Sequence, residues 1–487
     1  MLAKITRRIL SVLKSSNVQS VFIKQSLGYG LGFFINKGLS FLLIPVYWHF
    51  LKPSDFAIIA LVFIVIMFTD VSGNLSLDNS ITRFYHEWEN KRNFLKTYFY
   101  LGGMFSFLGA VIIWIVLKHV PNGFIFDNWS RIRPFITYAV LTGFFMSFQR
   151  IPLMYLRIAQ KVKFFSVYNS VYFVLNSTIL ILLLAVFHLG LKGYIIGNML
   201  STFFIFLFWT IYVSIKGRFE FARHKIWDSI KFALPIFPSS VSTVFINNGD
   251  RIILDRFVSL NSLGVYVVGS NLSKAHQQVL TSFSYSIIAK GHELLITDPK
   301  GGQHSFKKLV KTFVFLNAIL SILFLSAIII YVRVFGKSTY IGAIPYIIFF
   351  VINNFINGFQ VIYGIKSSVD KNTNFNIIIA GATLFFIFVI GPVFGRLVGI
   401  WAGIIIAYGL TFLNILITYL YTYKSKFKFF DEPLPILVVM IVVFIYGALS
   451  FFLINSSVVI ISLTCVFFLG GLLIFKNFFL SGAEILD

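Results

Sequence analysis

Apolar residues occur along this chain in runs of about 20, separated by short polar breaks. A run of that length spans the hydrocarbon core of a bilayer as an α-helix. The expected fold class is therefore all-α, a polytopic membrane protein of about 14 spans. The predicted spans are 27–49, 56–79, 97–117, 134–156, 166–188, 191–215, 232–254, 263–289, 309–332, 340–365, 374–394, 397–421, 434–454 and 457–479.

Composition strengthens this prediction and limits the function. The 487 residues are 58% hydrophobic and 12% charged, and the mean hydropathy is +0.87. These values exclude the soluble globular classes. No predicted connection between spans is long enough for a folded domain. An enzyme that acts on external sugars would be expected to carry a large external loop, so we expect a protein that is not an enzyme.

The positions of the basic residues predict the orientation. Of the 41 Lys and Arg, 28 fall on the side of the N-terminus, 9 on the opposite side and 4 inside the spans, when Lys192, Lys311 and Lys476 at the span ends are counted with the adjacent side. Because cytoplasmic loops carry the excess of Lys and Arg, both termini are expected in the cytoplasm of a bacterial inner-membrane protein. The net charge of +24 then faces anionic membrane lipids, which argues against nucleic acid as a partner.

The N-terminal segment, the single cysteine and the histidines give further expectations. Residues 1–26 mix basic and apolar positions and predict an interfacial cytoplasmic segment, with no cleavage site for a signal peptide. Cys465 is the single cysteine, which excludes a disulfide within the chain. The eight His show no metal-ligand spacing. We expect no cofactor and no metal site.

A short repeat suggests two related halves. FINKG at 34–38 in span 1 resembles FINNG at 245–249 in span 7, 211 residues later. Chance remains an alternative, because Phe, Ile and Asn are abundant and FING recurs at 355–358. A duplication would give two pseudo-symmetric six-helix lobes, 27–231 and 232–423, with a helix pair and tail at 424–487.

Four cations fall inside predicted spans: Lys37, Arg150, Arg251 and Lys274. A charge at this depth is costly, so each is expected to face a cavity or a partner. Lys37 lies on a polar face of span 1, at a depth where it can meet Asp70 of span 2. Two interpretations stay open for this pair: a structural ion pair, or a transport site.

The same two interpretations, a structural ion pair or a transport site, apply to the charges of span 7. Arg251 can pair with Asp255 one helical turn later, and Asp250 lies beside them. Arg150 and Lys274 show no acid at their depth, so a cavity role is expected for both. Unmatched cations in a cavity attract an anion, and a lipid diphosphate is the natural membrane-borne candidate. Asp70 is the first choice for exchanging a cation for H⁺ or Na⁺.

Several segments resemble a known family, the O-antigen (Wzx-type) polysaccharide flippases of the multidrug, oligosaccharidyl-lipid and polysaccharide exporter superfamily. The most distinctive match combines Leu234-Pro235, Asp250-Arg251-Ile252-Ile253-Leu254 and Leu263-Gly264-Val265-Tyr266. Weaker matches are KGLSFLLIPV at 37–46 with LKPSDF at 51–56, DNSITRFY at 78–85, and GIWAG at 399–403, where Gly403 replaces an Ala of the family.

The resemblance implies a two-lobed fold with a cationic central cavity and alternating access. The implied substrate is an undecaprenyl-diphosphate-linked oligosaccharide repeat unit of the O-antigen or capsule type, a lipopolysaccharide or capsule precursor. The family's cavity charges carry over to Asp250 and Arg251, and more weakly to Arg83. Depth within the predicted spans is the only basis for selecting Lys37, Arg150, Lys274 and Asp70.

Other functions stay open at this stage. A lipid II flippase or a drug exporter of the same superfamily is the close alternative, although intramembrane cations disfavour cationic drugs. A polysaccharide polymerase or acyltransferase is the alternative from another class. Polymerase and assembly proteins are expected as partners of a flippase. Neither the sugar nor the choice of H⁺ or Na⁺ coupling follows from the residues.

Overall fold

A computed structural model describes residues 43–159, 161–215, 217–297, 301–369, 375–423 and 434–452, together with residue 464. In chain order, the helices are α1 (Ile44–Phe50), α2 (Pro53–Asn74), α3 (Leu77–Phe84), α4 (Lys91–His119), α5 (Trp129–Ile132), α6 (Ile136–Ile158), α7 (Val162–Ile181), α8 (Gly190–Ile215), α9 (Arg223–Ala233), α10 (Phe237–Asp255), α11 (Leu260–Thr297), α12 (Gly301–Phe335), α13 (Ser338–Ile341), α14 (Ile344–Val369), α15 (Phe375–Phe385), α16 (Gly391–Val398), α17 (Trp401–Tyr423) and α18 (Leu434–Phe452).

The all-α membrane fold is confirmed. Within the described ranges, eight helices are long and apolar enough to cross a bilayer. A ninth span results if α9 and α10, bent by 42° at their junction, are counted together. Each predicted span from the second to the thirteenth coincides with a helix. Most of span 1 and span 14 lies outside the described residues, so the count of 14 stays a prediction.

Local sequence explains where α2 begins and ends. Pro53 occupies its first position, where a missing N–H costs nothing, and the Lys52 N–H donates to the Asp55 carboxylate at 2.8 Å. After Asn74, Leu75 and Ser76 take left-handed backbone angles, with φ of 48° and 61°. These conformations are costly for residues other than glycine, so the surrounding structure must hold them. They turn the chain sharply into α3.

Two helices end in a π-helical segment, which is a rare element. α7 continues into Leu182–Val186, and α15 continues into Phe386–Ile390. These helices are the fifth spans of the two predicted lobes, and the segments begin 204 residues apart. The same irregularity recurs at the same place in each predicted half, and the duplication itself stays a prediction.

The chain forms two compact units. Unit I comprises Leu43–Val267 and Ala380–Ile406. Its core contains fully buried aromatic side chains on α4 and α8, including Tyr98, Phe99 and Trp209. α2 and α6 approach closely, since a Cβ on Gly143 would lie 2.6 Å from the Ile66 carbonyl. Small residues at such contacts are typical of membrane helix pairs.

Unit II comprises Val268–Ile379 and the described residues from Ala407 onward. α12 is its central helix and packs against α14 and α18. The Ser326 hydroxyl lies 2.7 Å from that of Thr464 and also contacts the Tyr446 hydroxyl. The Asn317 side chain donates to the Phe355 carbonyl at 3.1 Å. Unit II is therefore joined by hydrogen bonds between helices as well as by apolar packing.

The two predicted lobes divide the chain differently from these units. Unit I contains α10 and residues 380–406, which the sequence places in the second lobe. The lobe boundaries 27–231 and 232–423 stay a prediction.

Candidate functional site

A buried charge cluster in unit I joins three helices. The Arg150 guanidinium on α6 donates from Nε and Nη2 to the two carboxylate oxygens of Asp70 on α2, at 2.8 and 2.7 Å. Its Nη1 reaches Asp78 on α3 at 3.4 Å. Asp70 and Asp78 are buried, whereas 32% of the Arg150 side chain is exposed. A two-point contact of this kind is among the stronger hydrogen-bonded ion pairs.

The turn after α2 creates this cluster. Because Leu75 and Ser76 redirect the chain, α3 runs back toward α6 and presents Asp78 on the same side as Asp70. Asp70 lies on α2, and Asp78 lies on the short helix α3 that follows. Without the left-handed turn, a continued α2 would carry Asp78 away from Arg150.

These contacts correct one prediction. Arg150 was expected to lack an acid at its depth, and the structure gives it two. The expected contact between Asp70 and Lys37 falls on a residue outside the described ranges and stays a prediction. Depths along neighbouring spans were the only basis for the expectation about Arg150. These depths did not reveal that α2 and α6 pack together, or that Asp78 returns into the unit.

The charge balance of the cluster follows directly. Among the described residues, one guanidinium faces two carboxylates, so the side chains of Arg150, Asp70 and Asp78 together carry one negative charge when both acids are ionised. The guanidinium of Arg150 is shared between these two acids and is not a free positive patch.

Arg83 is placed at an exposed position. Its side chain is 60% exposed and forms an ion pair with Glu87, one turn later, at 2.7 Å. The guanidinium also lies over the Phe84 ring, 5.6 Å from its centroid. An exposed pair of this kind contributes little to stability. Its assignment to a cavity stays a prediction.

The motifs that carry the family resemblance meet within unit I. Tyr266 donates its hydroxyl to Asp250 at 2.6 Å. A Cβ added to Gly403 would lie 2.6 Å from that same hydroxyl oxygen. The glycine that departs from the family's Ala is therefore required by the position of Tyr266. The hydroxyl of Tyr266 is a partner of Asp250 that sequence reasoning missed.

The opening turn joins the same group of motifs. A Cβ on Gly264 would lie 1.7 Å from the Pro53 carbonyl oxygen, so the start of α11 touches the start of α2 through backbone alone. No side chain fits at position 264. Segments that are far apart in sequence thus form one contiguous contact region in unit I.

Arg251 and Asp255 occupy buried positions on α10, with 2% and 1% of their surfaces exposed. The acid does not take the expected partner. Asp255 instead accepts hydrogen bonds from the backbone N–H and the side-chain amide of Asn128, at 3.2 and 2.9 Å. Asn128 lies in the connection between α4 and α6, and no sequence signal marked it.

Unit II contains the remaining predicted cation. Lys274 is half-buried on α11. The neighbouring His276 is fully buried, and its Nε2 lies 3.2 Å from the Ser321 hydroxyl on α12. Ser321 also donates to the Asn317 carbonyl at 2.7 Å. His276 is thus buried and hydrogen-bonded between α11 and α12.

Comparison with known proteins identifies the family. The sequence profile of the polysaccharide biosynthesis protein family matches residues 49–327, more than half of the chain. The chain belongs to this family. No curated protein sequence matches it. The polysaccharide flippase resemblance predicted from the motifs is confirmed at the level of the family and the fold.

Solved structures with the same fold are membrane transporters. The lipid II flippase MurJ in an inward closed conformation is 15% identical, with a TM-score of 0.67, and the match covers 91% of this chain and 98% of that one. An inward-facing multidrug resistance MATE family transporter of the MOP superfamily is 12% identical, with a TM-score of 0.58 and coverages of 88% and 98%.

A MOP superfamily transporter from Pyrococcus furiosus is 12% identical, with a TM-score of 0.55 and coverages of 85% and 98%. At these identities the similarity establishes the fold alone. The protein is a multi-pass membrane protein with the fold of the MOP superfamily.

Proposed function

We propose that this protein moves a polyprenyl-diphosphate-linked oligosaccharide across the bacterial inner membrane by alternating access. The substrate is a repeat unit of the O-antigen or capsule type, delivered from the cytoplasmic leaflet to the outer leaflet. Both termini are cytoplasmic, and the product passes to a polysaccharide polymerase. The family match over residues 49–327 carries this proposal, because the MOP transporter fold and polysaccharide biosynthesis meet in one chain.

Movement of a cation through the Arg150 cluster drives the cycle. Asp70 and Asp78 place two negative charges against one positive charge in a buried site. A proton or Na⁺ bound there completes the charge balance, and its release restores the full ion pair. Binding and release therefore change the attraction between α2, α3 and α6. A change of this kind favours one conformation over another by its differential affinity.

The substrate diphosphate is recognised by other cations. Within the described residues the charge of Arg150 is shared with two acids, so we assign it to ion coupling and not to the phosphate. The other predicted cavity cations are the candidates for the phosphate: Lys37, Arg83, Arg251 and Lys274. Arg251 and Lys274 are tested first, each separately. Arg is suited to bidentate contact with a phosphate, whereas Lys contributes a point charge.

The alternatives differ in substrate or in chemistry. A lipid II flippase would use a similar lipid diphosphate and differ only in its sugar. A drug exporter would not be expected to belong to a polysaccharide biosynthesis family. A polymerase or acyltransferase would be expected to hold reacting groups in an external domain. The connection between α4 and α6 contains the one-turn helix α5 and a 3-10 turn at Arg133–Phe135, which is too little for a domain.

The test follows lipid-linked saccharide in cells that lack the protein. We expect the intermediate to accumulate in the inner leaflet and wild-type protein to restore its export. Arg251→Ala and Lys274→Ala should restore export poorly. Arg396→Ala serves as the matched control, since Arg396 is exposed at the end of α16. Normal polymer in cells without the protein would contradict the proposal.

A further inference from the structure

The connection between α4 and α6 is fastened to the end of α10. We call residues 120–135 the latch loop. Asn128 donates two hydrogen bonds to Asp255, from its backbone at 3.2 Å and from its side chain at 2.9 Å. The adjacent Arg256 donates from Nη2 to the Phe124 carbonyl at 2.8 Å. Three hydrogen bonds thus join the loop to two consecutive residues of unit I.

The latch loop is built to hold Asn128 in place. Phe126 and Trp129 flank it, and their rings are stacked with centroids 6.0 Å apart. Phe126, Trp129 and Ile132 are each at most 1% exposed. A polar residue between such apolar anchors has little freedom to move alone. The Asp255 contact is therefore a contact of the whole loop.

The contact joins residues from the two predicted halves of the chain. The latch loop belongs to the first half, and α10 opens the second. The loop lies on the side that the distribution of Lys and Arg predicts to be external. α10 also contacts α2, where the ring centroids of Phe245 and Phe68 are 6.4 Å apart. Near its other end, the Ser240 hydroxyl lies 2.8 Å from that of Ser76 in the turn after α2.

We propose that the latch loop is the outer gate, and that the Asn128–Asp255 contact breaks and reforms in every transport cycle. This inference rests on the proposed function. Alternating access requires the external ends of the two halves to separate before the substrate leaves. The Asp255 carboxylate is buried, so opening transfers it to water, where its hydrogen bonds to Asn128 are replaced at modest net cost. The gate is thus closed in this structure and reversible.

A permanent fastening is the competing interpretation. In that case Asn128 and Asp255 only stabilise the fold, and joining them covalently would leave transport unchanged. A gate predicts the opposite result. The two interpretations therefore differ in the effect of a crosslink, and not only in the effect of removing a side chain.

The experiment uses the full chain with Cys465→Ser and the pair N128C and D255C, joined by a short thiol crosslinker. We expect export of the lipid-linked saccharide to fall in proportion to the fraction of protein that is crosslinked. When a cleavable crosslinker is used, cleaving it should restore export. The matched control is N176C with S201C, whose native side chains are 2.7 Å apart on α7 and α8 of the same half.

If the protein crosslinked between positions 128 and 255 exports at the same rate as uncrosslinked protein, the gate proposal is wrong. Equal loss in the control pair would also overturn it, since loss would then follow from any crosslink. The yield of the crosslink is a second measurement, and it does not require a known substrate. We expect it to be high in resting membranes and lower during transport. If wild type exports no lipid-linked saccharide, the proposed function fails, while a yield that changes on energising the membrane still supports the gate.

Discussion

Arg150 binds both carboxylate oxygens of Asp70, and this pair lies within unit I. Each partner comes from a different long helix, and the two nitrogen–oxygen distances differ by only about a tenth of an ångström. Asp78 adds a longer third contact. The arrangement has consequences for both stability and transport, and these can be measured separately.

Arg150→Ala should destabilise the protein because it leaves Asp70 buried without its counter-ion. Removing one partner of a buried ion pair destabilises a protein by at least about 3 kcal/mol. We expect a loss at this lower end of the range, because 32% of the Arg150 side chain is exposed. A lower melting temperature in detergent is the measurement. The double variant Arg150→Met with Asp70→Leu should recover part of the stability, because Asp78 still lacks its counter-ion, but it should not recover export. Recovery of export would contradict a role for the charges in transport.

Asp70 and Asp78 should differ in importance. Asp70 makes two short contacts with Arg150, and Asp78 makes one at 3.4 Å. Asp70→Asn should therefore abolish the dependence of transport on an imposed H⁺ or Na⁺ gradient, while Asp78→Asn only weakens it. Transport by proteoliposomes with and without each gradient provides the comparison. Equal gradient dependence in wild type and Asp70→Asn would exclude the cluster as the coupling site.

Gly403→Ala should disturb the bond between Tyr266 and Asp250. The new Cβ would lie 2.6 Å from the Tyr266 hydroxyl oxygen, so the ring must shift. We expect a lower melting temperature, partly recovered by adding Tyr266→Phe, which removes the crowded oxygen. Gly381→Ala is the control, because no atom lies within 4 Å of a Cβ there. A helical Ala at that position should be neutral or stabilising.

His276 should be dispensable for any pH dependence of transport. It is fully buried against Ser321 and lies in unit II, whereas the proposed coupling cluster lies in unit I. His276→Gln is expected to lower stability and to leave the shape of the pH profile of transport unchanged. A profile that loses one of its transitions would identify His276 as a titrating transport residue instead.

The helices were predictable because hydropathy reports burial in a membrane directly. Most predicted spans match an observed helix to within a few residues. The partners of the charged groups were not predictable in the same way. Arg150 meets Asp78 only because Leu75 and Ser76 adopt a left-handed turn, and a turn of this kind has no signature in residues other than glycine. Asn128 reaches Asp255 from a loop, where periodicity carries no information.

Two glycines illustrate the same difference between motif and contact. Gly264 and Gly403 were noted because they belong to segments that resemble the family. The structure supplies their physical reason, which is close contact with the Pro53 carbonyl and the Tyr266 hydroxyl. The motifs could be found in the sequence, but their meeting in space could not.

Translocation by purified protein in proteoliposomes tests the central claim most directly. A polyprenyl-diphosphate-linked oligosaccharide with a labelled sugar is placed in one leaflet, and an impermeant reagent that modifies the sugar reports its arrival in the other. The account predicts translocation that wild type catalyses and that an imposed gradient accelerates. Asp70→Asn should lose this acceleration, and Arg396→Ala should retain it. Translocation no faster than in protein-free vesicles, under every imposed gradient, would contradict it.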